Sequence, residues 1–274
     1  MYFQIKSKNK SKLQIEIWNK YVWERQTIKS LSSQYNHGIN WIRKQLKEVK
    51  LHFNQISPCP IVLVADTTFF GRNNGLCIFY ASNKKKVIAR AYIKTENALI
   101  YANMRKYIEE KGFRILAVVL DGRKGIKEVF SDVPVQMCQF HQKMILRRYL
   151  TLNPRLEPAK QLKHLCENIC KDEEIIFMKK FHKWNKKWAE FLKERTYYEN
   201  GKWSYTHRRL RSARRSLQTN MPFLFTYQKY IEFNIPNTTN SVESINSKLK
   251  GLTRIHGGFN SQLKCKIIDE ILFK

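Results

Sequence analysis

The spacing of hydrophobic positions changes three times along the 274 residues, and each change predicts a different kind of structure. From Leu13 to about residue 29, Ile15, Ile17, Trp18, Tyr21, Val22 and Ile28 recur at the intervals of an amphipathic helix. Residues 1–12 are polar and Lys-rich and predict no element. Residues 31–46 then carry the spacing of two short helices joined by a tight turn. Ser32 is small enough for the helices to approach, Asn36 tolerates the left-handed turn position, and Ile42 packs back from the second helix. Such a helix-turn-helix presents Asn40, Trp41, Arg43, Lys44 and Lys47 outward, where a recognition helix meets base edges and phosphates. An ordinary helical hairpin with a solvated basic face is the plainer reading of the same residues.

After Pro58 and Pro60 the texture changes. Residues 61–65 are continuously apolar, as a buried central strand requires, and the run ends at Asp66. A turn is expected over 71–74. Strands follow at 76–80 and 87–93, around the turn at Asn83, and form a hairpin. Residues 97–111 have apolar positions at 99, 100, 104, 107 and 108, an amphipathic helix that Gly112 stops. A second buried strand over 115–120 ends at Asp121. A short helix (125–130), a strand (133–138) and a helix from about 142 to 150 complete the series. This order predicts an α/β, ribonuclease H-like fold, a mixed sheet whose fourth strand lies parallel to its first. Asp66 and Asp121 would then close neighbouring strands.

Residues 151–235 read as a helical insertion, rich in Lys and Arg and carrying Trp184, Trp188 and Trp203. Within it Arg208, Arg209, Arg211, Arg214 and Arg215 crowd one basic helix, and no acid lies between Glu199 and Glu232. That helix suits phosphates; otherwise its arginines reach acidic residues elsewhere and hold the insertion to the core. A turn over 236–239 precedes a helix capped by Asn240 or Ser241 and carrying Glu243. Gly257-Gly258 ends that helix or opens the next segment. The expected organisation is an all-α helix-turn-helix module over 1–55 and a catalytic domain over 56–274, with the insertion at about 151–235.

Charge narrows the function. The chain has 51 Lys and Arg against 22 Asp and Glu, a net +29. The excess is no tail, being 11 against 3 over 1–50, 16 against 7 over 51–150 and 18 against 8 over 151–230. A long polyanion, nucleic acid, is the expected partner. No run approaches the roughly 18 apolar residues of a membrane span, and no apolar leader opens the chain. Six cysteines without a CxxC pair read as reduced thiols, so a cytoplasmic, nucleoid-associated protein is expected.

Two strand-end aspartates and a glutamate on a later helix are the ingredients of a two-metal phosphoryl-transfer site, since hard Mg²⁺ or Mn²⁺ prefers carboxylate oxygens. Four motifs in order are Ala65-Asp-Thr-Thr-Phe-Phe, Leu120-Asp-Gly-Arg-Lys-Gly-Ile, Cys138-Gln-Phe-His141 and Thr239-Asn-Ser-Val-Glu-Ser-Ile-Asn-Ser-Lys-Leu. Together they resemble the motif set of bacterial insertion-sequence DDE transposases, the branch related to Mutator-like elements, over roughly 14–274. The resemblance implies that Asp66, Asp121 and Glu243 are the catalytic, metal-holding triad, with Mg²⁺ as cofactor and Mn²⁺ able to substitute. It implies double-stranded DNA as substrate, both element ends and target, bound by a homodimer. Arg123 and Lys124, beside Asp121, are expected on DNA. Cys138 and His141 match the family's C-x-x-H signature. No second pair completes a zinc site, so His141 is expected near the carboxylates rather than on a metal. The chain departs from the pattern in having no cysteine before Cys59, where relatives often carry a zinc ribbon. The other readings of the same residues are a DNA-binding regulator and a structure-specific nuclease.

Overall fold

The computed structural model describes residues 2–51, 53, 56–255 and 261–273, with 2–10 and 261 given by their backbone alone; Gly257-Gly258 lies outside them. The chain opens with α1 (Tyr2–Val22), α2 (Ile28–Tyr35) and α3 (Ile39–Glu48). α1 extends through the polar start that predicted no element. The Thr27 hydroxyl accepts the Ser30 N–H at 3.1 Å and starts α2, and Asn36 ends it at φ 50°.

β1 (Pro60–Phe69), β2 (Gly75–Ala81) and β3 (Lys86–Ile93) follow, then α4 (Ala98–Glu110), β4 (Arg114–Leu120), β5 (Val135–Met137) and α5 (Gln139–Leu150). Asn97 caps α4 through the Ile100 N–H at 3.1 Å, and Gly112 leaves it at φ +89°. The expected helix at 125–130 is only a 3₁₀ turn over Lys127–Phe130, and α5 starts three residues earlier than its periodicity suggests. The insertion contains α6 (Glu157–Glu167), α7 (Glu174–Lys187), β6 (Arg195–Tyr197), β7 (Trp203–Tyr205), α8 (Arg208–Leu224) and α9 (Thr226–Lys229). It is therefore not all helical. A two-stranded hairpin, β6–β7, interrupts it, its three-residue strands too short to register as a period. α10 (Asn240–Ile255) and α11 (Ser261–Phe273) close the chain. Because α10 already begins at Asn240, Thr239 takes the cap position expected of Asn240 or Ser241, and its carbonyl accepts the Val242 N–H at 3.0 Å.

Two compact units divide the chain: Met1–Ser57 with Lys86–Ile88 and Glu243–Lys274, and Pro58–Lys85 with Ala89–Val242. The first is built on Ile17, Trp18, Tyr21, Leu31, Ile42 and Leu46, to which α11 adds Ile267. The Lys266 ammonium donates to the carbonyls of Leu46 (3.3 Å), Lys47 (2.9 Å) and Val49, and so caps the C-terminus of α3.

The second unit holds the five-stranded sheet, in the order β3-β2-β1-β4-β5. β1 is antiparallel to β2 and parallel to β4, and β4 is parallel to β5. Edge strand β5 is covered: its Val135 carbonyl accepts the Thr226 hydroxyl at 2.7 Å, and Gln136 bonds both the Leu224 carbonyl and the Tyr227 N–H. The insertion packs on β5 and α5 in one core, which joins Phe177, Trp184, Leu210, Leu217 and Phe225 to Met137, Leu146 and Leu150. Trp184 and Trp188 are anchored through their indole N–H groups to the Pro158 carbonyl and Gln161. Among the described residues no helix is long and apolar enough to cross a membrane.

Candidate active site

The two aspartates are set level by the parallel pairing of β1 with β4. That register reaches Val64 opposite Val119; two residues further along each strand stand Asp66 and Asp121. Asp66 does not close β1 as its apolar run suggested. Pairing with β2 carries β1 three residues further, to Phe69 opposite Gly75. Asp66 is thus held in mid-strand and only 7% exposed. Asp121 directly follows β4, and its Oδ1 accepts the Arg123 N–H at 2.9 Å. Gly122 between them has φ +84°, and a Cβ there would lie 2.4 Å from Met137 Cε, so the turn requires glycine twice over.

A chain of hydrogen bonds ties the two aspartate-bearing segments to α4. Thr67, next to Asp66, lies 3.1 Å from the Tyr101 hydroxyl, which donates to Glu96 at 2.7 Å. Glu96 in turn pairs with Arg123 at 2.5 Å. The Glu96 side chain is only 5% exposed, and a buried carboxylate without partners of this kind would be costly. Arg123, expected on DNA, is therefore engaged by Glu96. Its neighbour Lys124 is exposed. Glu96, just before α4, and Tyr101, within it, were not singled out from the sequence, where nothing distinguishes them from neighbouring side chains.

Cys138 and His141 lie within one turn at the start of α5. The Cys138 sulphur accepts the Thr239 N–H and contacts its hydroxyl, both at 3.3 Å, while that hydroxyl lies 3.4 Å from His141 Nδ1. Burial alone would pull the His141 pKa down. Cys138, then the Asp66 and Asp121 carboxylates, outweigh it and push it up to about 9. Burial likewise works to raise the Cys138 thiol, yet hydrogen bonds from His141 and Thr239 prevail and lower it. The second unit therefore brings Asp66, Asp121, Cys138 and His141 into one neighbourhood. Glu243 sits in the first turn of α10 and belongs to the first unit.

The family model described as Transposase, Mutator family matches residues 79–272, well over half of the chain. The chain belongs to the Mutator family of transposases. No curated protein matches it. The matched region takes in Asp121, Cys138, His141 and Glu243 but starts beyond Asp66 and the N-terminal helices. DNA is the partner that membership in this family implies.

Several of the basic residues expected on DNA are exposed. In this Mutator-family chain Asn40, Arg43, Lys44 and Lys47 of α3 are exposed, and Arg43 donates to Asn40 at 3.3 Å. Trp41 is not wholly outward: it packs against the first unit's core and stacks on His37 with ring centroids 3.9 Å apart. On α8, Arg208, Arg209 and Arg215 are exposed. Arg211 turns inward to the Leu192 carbonyl and the face of Tyr205, and Arg214 to Asn185 Oδ1. Neither has an acidic partner among the described residues.

Proposed function

We propose that this transposase cleaves DNA at the ends of an element and joins those ends to target DNA, with Asp66, Asp121 and Glu243 as the carboxylates of a divalent-metal site. The β1–β4 register carries this reading, because it sets two carboxylates level at adjacent parallel strands. The strand order supports reading the sheet as ribonuclease H-like. The short α2–turn–α3 geometry supports a helix-turn-helix with α3 as recognition helix. Hard carboxylate oxygens fit Mg²⁺, with Mn²⁺ as a substitute. When bound, such ions activate an attacking oxygen and offset charge on the leaving one.

The protein's own part is positioning. Pairing with β2 holds Asp66 in mid-strand, the glycine turn fixes Asp121, and His141, its pKa raised by Cys138 and then by both carboxylates, lies near them. Water attacks an end phosphodiester and leaves a 3′-hydroxyl and a 5′-phosphate. That hydroxyl then attacks a target phosphodiester and displaces the target strand's own 3′-oxygen. Joining two ends to one target makes a homodimer on DNA the working assembly.

The test is cleavage of a supercoiled plasmid carrying a candidate end, with and without Mg²⁺. Asp66→Asn, Asp121→Asn and Glu243→Gln should each lower cleavage by about a hundredfold or more while DNA binding persists. Wild-type rates in any one variant would remove that residue from the site. Cleavage without joining would favour a structure-specific nuclease, and binding without cleavage a DNA-binding regulator.

A further inference from the structure

The β6–β7 hairpin is an exposed aromatic surface with no part in the chemistry above. Arg195 faces Tyr205 across its two strands, Thr196 faces Ser204, and Tyr197 faces Trp203. Strand alternation therefore puts Arg195, Tyr197, Trp203 and Tyr205 on one face and the hydroxyl residues on the other. The hydroxyl face is bonded within itself, Thr196 to Thr206 at 2.9 Å and Tyr198 to Ser204 at 2.7 Å. The other face is rings and guanidiniums. Arg195 lies 4.0 Å over the Trp203 ring and Arg211 3.4 Å over that of Tyr205. Tyr197 is 70% exposed and Trp203 45%.

An isolated hairpin is marginally stable in water, but the base of this one is fixed. The Thr206 N–H donates to the Glu194 carbonyl at 3.0 Å, His207 pairs with Glu194 at 2.8 Å, and the His207 ring stacks 3.8 Å from Phe191. The aromatic tip is thus held out on a rigid support.

Where Tyr205 ends this face, a cavity of about 480 Å³ begins. It is walled by Tyr205, Arg208, Arg211, Arg214 and Arg215, and no carboxylate lines it. Arg211 and Arg214 are held by a carbonyl and an amide, which leave their charges uncancelled. The pair Tyr197/Trp203 lies two residues beyond Arg195/Tyr205, about 7 Å along the strands. Rings that read no hydrogen-bond pattern, beside guanidiniums that clasp phosphate, make a stacking platform with an electrostatic funnel. A paired duplex hides its base faces, whereas an unpaired nucleotide offers one.

We propose that the β6–β7 hairpin and the arginine cavity at its base hold a short unpaired stretch of DNA strand. One or two bases stack on Tyr197 and Trp203, and the adjoining phosphates enter among Arg208, Arg211, Arg214 and Arg215. The inference rests on the transposase reading in taking DNA as the strand. It goes beyond the phosphate-binding helix that the sequence suggested for these arginines.

Fluorescence anisotropy tests it, using a labelled oligothymidylate of about 12 nucleotides and a blunt duplex of the same length, both without metal. Tyr197→Ala combined with Trp203→Ala should weaken single-strand binding by about tenfold or more. Duplex affinity should move by less than about twofold. Trp203→Phe keeps a stacking ring and should retain most single-strand affinity, which also shows that the hairpin still folds. Unchanged single-strand affinity in the double variant overturns the proposal, as does an equal loss for duplex or a Trp203→Phe variant as weak as the double variant. Wild-type cleavage is read separately, so failure there overturns the catalytic reading while strand binding still decides this one.

Discussion

Replacing Gly122 by Ala tests the turn that presents Asp121. Gly122 sits at φ +84°, where an L side chain costs about 1–2 kcal/mol. The new Cβ would also meet Met137, 2.4 Å from its Cε and 2.7 Å from its Sδ. Overpacking of this kind costs about 1–3 kcal/mol, and the flexible methionine places it towards the lower end. The two parts together predict a loss of about 2–4 kcal/mol, a large share of the stability of an ordinary domain. Urea unfolding of Gly122→Ala measures the sum, and a double-mutant cycle with Met137→Ala separates the parts. In the Met137→Ala background only the backbone part remains, so the coupling should be about 1–2 kcal/mol, the lower end of the overpacking cost. A loss below about 1 kcal/mol in the single variant would refute the conformational requirement. Equal losses in both backgrounds would refute the steric one.

Lys266→Met removes the cation from the C-terminus of α3 and should destabilise the first unit by about 1–3 kcal/mol, seen as an earlier urea transition; an unmoved midpoint would mean that water replaces the ammonium at no cost. Arg43→Ala with Lys44→Ala should reduce the salt dependence of DNA binding by about two counterions if both meet phosphate. An unchanged slope and affinity would remove α3 from the DNA interface.

The sequence is most informative where one element decides its own fate. Residues 61–65 and 115–120 read as central strands because β1 is buried from Ile61 to Asp66 and β4 at all of 115–120 but Leu116, and Asn36 and Ile42 marked their turn and core positions by residue type alone. It is least informative where a distant partner decides. The end of β1 is set by β2, so Asp66 was taken as a strand end when it lies three residues inside one. The hairpin β6–β7 has strands of three residues, too short for any period. In α11, Leu263, Ile267 and Ile271 do recur at helical spacing, but nothing local says that this face meets α1 and α3, more than 200 residues earlier. Lys266 is one of 51 Lys and Arg residues, and only the structure shows it bonded to three carbonyls at the C-terminal end of α3.

A single residue, Leu116, decides whether Asp66 and Asp121 can act together. The β1–β4 register passes from Ile61 opposite Ile115 to Val62 opposite Ala117, so β4 carries one residue more than its partner at that point. With that extra residue Asp66 stands level with Asp121. Without it Asp66 would stand level with Leu120, and the one-residue slip would send the two aspartates to opposite faces of the sheet. Nothing in the uniformly apolar run Ile115-Leu-Ala-Val-Val-Leu120 advertises the bulge, since every residue in it suits either register. The aspartates are therefore legible in the sequence, but their common level is not. Setting two like charges side by side works against folding unless a positive charge is at hand. His141, its pKa pushed up first by Cys138 and then by those same carboxylates, lies close enough to feel both. Local rules broken together at one place are expected at functional sites, and on this ground the proposed function puts its chemistry at this end of the sheet.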